Sequence, residues 1–194
     1  RSLEVGRHLG KLDAINENLR VAVSHVPSFL RSGLYMEFGV RDGLSISFLA
    51  NLTVGVQWHG FDSFFGLPDA GHTPRSSGNR GWVPFTFSRH GVLPEVPQNV
   101  RLHAGWFNES VPRFLDTDPA AINSHVAFMN MDADLFVSTW SVFEAVFERC
   151  LHRAGTVISF DELFGTKPIL REEFRALKEA QQRFHFSYHF ISYA

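Results

Sequence analysis

Short apolar runs and longer helical stripes alternate along this sequence. Five short segments predict strands, at Gly33–Val40, Val56–Phe61, Val100–Ala104, Val126–Met131 and Thr156–Phe160, and the first of them is apolar and bounded by turn residues, as a buried strand should be. Around and between these runs, apolar residues three and four positions apart predict helices. Strands that alternate with helices predict an α/β fold, a three-layer sandwich with a mostly parallel sheet and helices on both faces.

The ends of the predicted elements carry local signals. Lys11–Leu30 has a helical stripe that Pro27 interrupts near its end. Asp42 and Asp134 are predicted to cap the helices that follow the first and the fourth strand. The stretch FHFSYHF near the carboxyl end alternates aromatic and polar residues, which predicts an edge strand.

The length and one long irregular segment predict the domain organisation. A chain of 194 residues is expected to form a single domain over residues 1–194, with residues 1–30 as a helical lead-in. Residues 63–98 are rich in glycine, proline and serine, and the stretch GHTPRSSGNRGWVP has no apolar period. Loops of this length are usually functional, so we predict an insertion that lies over a binding site.

Composition and charge exclude several classes of protein. The chain has 18 basic and 20 acidic residues and a net charge of −2, so no bulk field attracts it to nucleic acid or to an anionic membrane surface. No apolar run reaches the roughly 18 residues of a membrane-spanning helix. Cys150, the single cysteine, cannot form an internal disulfide, which favours a cytoplasmic location. The 20 phenylalanines are expected to line the core and a pocket.

Carboxylates follow four of the five predicted strands. The first strand carries Glu37, the second is followed by Asp62, the fourth by Asp132 and the fifth by the pair Asp161–Glu162. Any one of them could cap a helix, but parallel strands bring their carboxyl ends to one edge of the sheet. Carboxylates gathered there repel one another unless a cation joins them. The pattern therefore predicts a cationic ligand or a metal ion.

The loop after the first strand narrows the choice of ligand. Gly39 and Gly43 in EFGVRDG allow a tight turn and a close approach of the backbone to a ligand, whereas GxGxxG and P-loop motifs are absent. Asp62 is placed to accept hydrogen bonds from both hydroxyls of a ribose. A ribose beside an acid-rich loop suits S-adenosylmethionine, which carries a sulfonium and an ammonium group.

Five sequence blocks together carry a family resemblance: EFGVRDGLSISFLA, HGFDSFFGLP, VRLHAGWFNESVP, MNMDADLFVSTW and GTVISFDELFG. In this order they resemble the Rossmann-like class I S-adenosylmethionine-dependent methyltransferases, and most of all the macrocin and mycinamicin O-methyltransferase group. The resemblance runs from about Gly33 to the carboxyl end. Members of this fold usually finish with a strand hairpin. This sequence has only one such strand predicted before Ala194, so the last strand is expected to be missing here or replaced.

The resemblance implies a set of residues that hold the cofactor. Glu37, Gly39 and Gly43 would surround its methionine part, with Ser45 nearby, and Asp62 and Ser63 would bind the ribose and shape that turn. After the third strand, a short segment would line the adenine: Gly105, Trp106 and Phe107.

The resemblance also implies a metal site. Members that use a divalent ion hold it with an acid after the fourth strand and a pair after the fifth, which correspond here to Asp132, Asp161 and Glu162. Oxygen ligands suit Mg²⁺. Glu162 departs from the usual Asp-Asp or Asp-Asn pair, and Leu135 stands where the more distantly similar catechol enzymes have a lysine, so no general base is assigned.

The function expected from these residues is transfer of a methyl group from S-adenosylmethionine to a hydroxyl of a small molecule, such as a sugar of a secondary metabolite. Asp132 and Asp161 would be catalytic through a bound Mg²⁺, and the loop over residues 63–98 would cover the acceptor. Two alternatives stay open: a metal-independent methyltransferase of the same fold, and a non-catalytic protein that binds S-adenosylmethionine. Neither nucleic acid nor a membrane is expected as a partner, and a homo-oligomer is left open.

Overall fold

A computed structural model describes residues 16–69, 84–161, 163 and 172–192 of the chain. The strands are β1 (Leu34–Phe38), β2 (Trp58–Asp62), β3 (Val100–Ala104), β4 (Val126–Met131) and β5 (Val157–Phe160). The first helix, α1, is described over residues 16–24, and a short 3-10 turn covers Ser28–Leu30. The other helices are α2 (Leu44–Leu52), α3 (Phe107–Thr117), α4 (Phe136–Glu148) and α5 (Glu172–Phe184).

All five strands pair in parallel, in the order β3-β2-β1-β4-β5. The predicted α/β sandwich is therefore confirmed. Tyr35 in β1 pairs with Trp58 in β2 and with Phe128 in β4. The chain runs outward from β1 to β3 and then returns to place β4 on the other side of β1. Such a reversal leaves a crevice at the carboxyl ends of the two central strands.

Helices pack on both faces of the sheet, and successive side chains of a strand point to opposite faces, so one strand contributes to two cores. In β1, Met36 and Phe38 belong to a core that contains residues of α3, α4 and α5, whereas Tyr35 belongs to a second core with residues of α1 and α2. Every residue of β1 and β4 is buried. These two central strands therefore form a rigid base for the loops that follow them.

Both predicted aspartate caps are wrong. The N-cap of α2 is Gly43, with a φ of 76°, and the N-cap of α4 is Leu135; neither makes a side-chain capping bond. Asp42 instead pairs with Arg89 and lies 3.3 Å from Arg41. The turn after β1 needs a left-handed residue just before the helix, a conformation that glycine adopts without strain.

The predicted edge strand near the carboxyl end is also wrong. Residues 185–192 adopt neither strand nor helix. The ring of Phe186 lies 4.9 Å from that of Phe147 in α4, and Tyr188 also packs against this core. The alternation of aromatic residues therefore reflects packing on α4 rather than pairing with the sheet.

The segment predicted as an insertion is described over residues 63–69 and 84–98, and these parts contain only turns, bends and extended chain. Its central residues lie outside the described ranges. In the parts of the chain that the structure covers, we find no helix with the length and apolar character needed to cross a bilayer.

Candidate active site

The loops that follow the five strands surround one pocket, a cavity of about 530 Å³. Each strand contributes predicted site residues to its lining: Gly39 after β1, Asp62 and Ser63 at the end of β2, Gly105, Trp106 and Phe107 after β3, Asp132 after β4, and Asp161 after β5. The pocket thus lies where the strand order reverses, which is the usual ligand position in an open parallel sheet.

Gly39 brings the first loop against the fourth. Its φ is 97°, and a Cβ built on it would lie 1.8 Å from the carbonyl oxygen of Asp132. The amide of Asp132 donates to the carbonyl of Phe38 over 2.9 Å, which extends the β1–β4 pairing into the loops. Only glycine fits a position with this φ and this contact, so the loop after β1 requires a glycine at position 39.

Asp62 is held at the pocket wall by two backbone amides. Its Oδ2 accepts a hydrogen bond from the Arg41 amide (2.7 Å), and its Oδ1 accepts one from the Phe64 amide (2.6 Å). The Ser63 hydroxyl donates to the carbonyl of Gly66 over 2.9 Å and so stabilises the turn that follows. A carboxylate oxygen has two lone pairs, so Asp62 can still accept bonds from a ligand.

Glu37 lies behind the pocket wall rather than at the pocket surface. It is fully buried; its Oε1 accepts from the Ser45 hydroxyl (2.9 Å) and its Oε2 from the Asn130 amide group (3.0 Å). Burial raises its pKa to about 7, although these two hydrogen bonds oppose the shift. Glu37, Ser45 and Gly43 do not line the pocket. Glu37 and Ser45 instead tie β1 to α2.

The segment after β3 forms an aromatic wall. The Gly105 amide donates to the carbonyl of Asp62 over 2.9 Å, which fixes this segment against the second loop. Trp106 is the N-cap of α3, and Phe107 packs its ring edge-on against Phe38, with centroids 5.8 Å apart. Both aromatic side chains line the pocket, where a flat heterocycle could stack.

Three aspartates make the opposite side of the pocket acidic. Asp132, Asp134 and Asp161 all line it, and Arg41 is the only residue with a positive side chain among the described lining residues. Burial raises the pKa of Asp132 well above its usual range, and the nearby charges of Asp161 and Asp134 raise it further. This excess of negative charge suits a cationic ligand.

The structure describes two of the three residues of the metal site predicted from the resemblance. Asp132 and Asp161 line the same pocket, and the Asp161 amide donates to the carbonyl of Met131 over 3.0 Å. Glu162 lies outside the described residues. Within residues 16–69, 84–161, 163 and 172–192, no group of three or more His, Cys, Asp or Glu side chains lies close enough together to hold a metal ion. The two aspartates supply the hard oxygen donors that Mg²⁺ prefers.

The described end of the long loop closes one flank of the pocket. Phe87 lines the pocket, and the guanidinium carbon of Arg41 lies 4.9 Å from its ring centroid. Arg89 pairs with Asp42, and the Arg89 amide donates to the carbonyl of Phe64 over 3.0 Å. These contacts attach residues 84–98 to the loops after β1 and β2.

The family model that describes macrocin O-methyltransferases (TylF) matches residues 12–185. The chain belongs to the macrocin O-methyltransferase family. It is therefore an enzyme, a methyltransferase, and the family implies S-adenosylmethionine as the methyl donor. No curated protein matches the chain.

Solved structures of similar fold agree with membership of the macrocin O-methyltransferase family. The calicheamicin methyltransferase CalS11 is 25% identical, with a TM-score of 0.65 over 95% of this chain and 76% of CalS11. Its apo structure, described as a TDP-rhamnose 3'-O-methyltransferase, has a TM-score of 0.59 with the same identity and coverage. The O-methyltransferase NovP is 20% identical, with a TM-score of 0.58 over 94% of this chain and 75% of NovP, and supports the fold.

In this member of the macrocin O-methyltransferase family, the pocket contains residues that sequence reasoning missed. Asp134 lines it instead of capping α4, and its φ of 58° is unusual for a residue other than glycine. Arg41, Val137, Ser138 and Ser141 also line it. The motif MDAD could have indicated Asp134, because it places two acids two positions apart directly after a strand. The α4 residues Val137, Ser138 and Ser141 have no comparable sequence motif that could have indicated them.

Proposed function

We propose that the protein transfers the methyl group of S-adenosylmethionine to a hydroxyl oxygen of a small molecule, assisted by Mg²⁺. One observation carries the proposal: a hydrogen-bonding carboxylate, Asp62, and an acidic group, Asp132 with Asp161, line opposite parts of the same pocket. The first suits a donor with a ribose, and the second suits a cation beside an acceptor hydroxyl.

The donor would occupy the part of the pocket between the loops after β1, β2 and β3. Asp62 would accept hydrogen bonds from the ribose hydroxyls, while its bonds to two backbone amides keep its carboxylate in place. Trp106 and Phe107 would stack on the adenine. The donor supplies an electrophilic methyl group on a sulfonium. The main contribution of the chain would be to align the acceptor with that methyl group, which can contribute about 7–11 kcal/mol.

Asp132 and Asp161 would hold the metal ion, with Glu162 as a third ligand. A divalent ion there would lower the pKa of an acceptor hydroxyl and orient it. The fit rests on the charge of the pocket, which four aspartates and a single described cation, Arg41, line. Asp134 is the remaining carboxylate in the pocket, and we assign it the role of proton acceptor for the hydroxyl. Its strained backbone is typical of functional positions.

The relatives and the pocket lining support a proposal for the acceptor class. CalS11 is described as acting on a TDP-rhamnose, so a sugar hydroxyl is the acceptor class that we propose. The acceptor would lie between Phe87 on the long loop and Val137 on α4, both of which line the pocket. Apolar side chains beside a few polar groups are usual in sites for small molecules.

The proposal is tested by incubating the protein with S-adenosylmethionine labelled in its methyl group and a panel of hydroxylated sugars and glycosides. Each reaction is run with Mg²⁺ and with a chelator. Labelled product that disappears with chelator and returns with Mg²⁺ supports the proposal. Turnover that is insensitive to chelator would leave a metal-independent methyltransferase, and S-adenosylmethionine binding without turnover across the panel would favour a non-catalytic role.

A further inference from the structure

We propose that Glu173 and Glu172, at the start of α5, are positioning residues that fix the loop between β4 and α4. This inference rests on the proposed function, because that loop carries Asp132 and Asp134. The two glutamates lie on a different helix from the loop and do not line the pocket. They would act through backbone amides rather than by touching the substrate.

Glu173 makes the central contact. Its side chain is 2% exposed, and its Oε1 accepts a hydrogen bond from the amide of Ala133 over 2.9 Å. Ala133 stands between Asp132 and Asp134, two of the four aspartates that line the pocket. Hydrogen bonds to a carboxylate are stronger than those between neutral groups, so this bond is a firm anchor for the loop.

Glu172 makes a second contact three residues further along the loop. Its Oε2 accepts from the amide of Phe136, the first residue of α4, over 3.3 Å. The guanidinium carbon of Arg175, one turn later in α5, lies 4.2 Å from the centroid of the Phe136 ring. The first turn of α5 therefore holds both the loop and the start of α4.

The loop needs these external anchors because its path is tight and it has no cap of its own. The Leu135 amide donates to the carbonyl of Ala133 over only 2.6 Å, and Asp134 is left-handed. Leu135 provides no side-chain cap, so the first amides of α4 lack the acceptor that a serine or aspartate would give. A carboxylate at a helix N-terminus is favourable in itself, and here α5 supplies it.

The arrangement predicts that loss of Glu173 lowers the turnover rate without weakening the binding of the donor. The residues proposed to hold the donor (Gly39, Asp62 and Gly105) belong to the loops after β1, β2 and β3, which neither glutamate contacts through a described hydrogen bond. Losing Glu173 should release Ala133 and Asp134, while the bond from the Asp132 amide to the Phe38 carbonyl keeps Asp132 against Gly39 and leaves the donor half in place. A merely structural role would instead weaken stability, donor binding and turnover together.

The experiment compares Glu173→Ala and Glu173→Gln with Lys178→Ala in the full chain. Lys178 is the control, because it is exposed on the same helix and its Nζ donates to Gln181 in that helix (3.3 Å) rather than to the loop. Three quantities are measured: hydrogen exchange of the amides of residues 133–136, the Kd for S-adenosylmethionine, and kcat for methyl transfer. The glutamine carbonyl can still accept the bond from Ala133, so Glu173→Gln tests the hydrogen bond apart from the charge.

We expect Glu173→Ala to speed exchange at residues 133–136 and to lower kcat about tenfold or more, with the Kd for S-adenosylmethionine within about threefold of the wild type. Glu173→Gln should restore both exchange and kcat to within about threefold, and Lys178→Ala should match the wild type. The proposal is overturned if exchange at these amides is unchanged in Glu173→Ala, or if Glu173→Gln behaves like the alanine variant. Failure of the wild type to methylate would contradict the proposed function, while the exchange result would still test the anchor.

Discussion

Gly39 and Asp132 are in direct backbone contact at the centre of the pocket. A Cβ on Gly39 would lie 1.8 Å from the Asp132 carbonyl oxygen, so the loops after β1 and β4 approach each other as closely as two backbones can. The first loop belongs to the proposed donor half and the second carries the acidic residues. This contact joins the two halves of the pocket.

Replacing Gly39 with alanine should therefore damage both halves. We expect Gly39→Ala to lower the free energy of unfolding by about 3 kcal/mol or more, because the clash is with backbone and the φ of 97° is itself unfavourable. Binding of S-adenosylmethionine, measured by calorimetry, should be lost.

Gly55→Ala is the control: Gly55 also has a positive φ, of 86°, but nothing lies within 4 Å of a Cβ there. It should lower the free energy of unfolding by only about 1–2 kcal/mol. Equal effects of the two variants would show that the backbone contact does not matter.

The buried Glu37 predicts a pH dependence of stability. Its pKa in the folded protein is about 7, against an ordinary value of 4.5, so the folded state binds the extra proton between these pH values. Stability from this group is complete below pH 4.5 and is lost as the pH rises through 7, a change of about 3 kcal/mol. Glu37→Gln should remove this dependence, because a neutral amide does not titrate and a rotated Asn130 can complement it.

Urea unfolding of the wild type and Glu37→Gln at a series of pH values from 4 to 8 measures the effect. Taking the difference between the two proteins at each pH cancels the contributions of other groups, including His59, whose pKa burial lowers to about 4. A constant difference across this range would mean that the pKa of Glu37 is not raised.

Asp161 is the clearest test of the proposed metal role. It is exposed and follows β5, so Asp161→Ala should leave the fold intact. We expect Mg²⁺-dependent turnover to fall by about a hundredfold or more, while the Kd for S-adenosylmethionine stays within about threefold. Turnover and donor binding are measured separately. A parallel loss of both would count against a role in holding the metal.

Phe87 tests whether the long loop contributes to the acceptor site. Phe87 lines the pocket, whereas Phe85, two residues earlier with a similar positive φ, is 61% exposed and does not. Phe87→Ala should raise KM for the acceptor about tenfold through loss of apolar contact, with little change in donor affinity. Phe85→Ala should leave both quantities at wild-type values. If KM rises equally in the two variants, general loosening of the loop is responsible.

The fold was predictable from the sequence because its signals are local and repeated. The central strands β1 and β4 are short, mainly apolar segments buried on both faces, so they lack alternation and stand out from the helical stripes. Because parallel strands bring their carboxyl ends to one edge of the sheet, the sequence also predicts Asp62, Asp132 and Asp161 at that edge. All three line the pocket.

Side-chain roles near the turns were less predictable. Asp42 and Asp134 are of a residue type preferred at helix N-caps and each precedes a helix, yet Asp42 pairs with Arg89 and Asp134 lines the pocket. Glu37 follows the same sequence pattern as the other acids but does not line the pocket, and it instead accepts hydrogen bonds from Ser45 and Asn130. The phenylalanines are also divided: Phe38 and Phe61 are fully buried, whereas Phe29, Phe65, Phe85 and Phe190 are at least half exposed.

The sequence by itself determined the order of strands and helices, the edge of the sheet where chemistry would occur, and the family, because these depend on the spacing of residues close together in the chain. The tertiary structure decided which acids share the pocket and which are buried behind it, since a side chain's face depends on strand register. It also showed that Glu173 holds the loop carrying Asp132, a contact between residues 40 positions apart. Contacts over such distances follow from how helices pack on the sheet, and local patterns do not encode them.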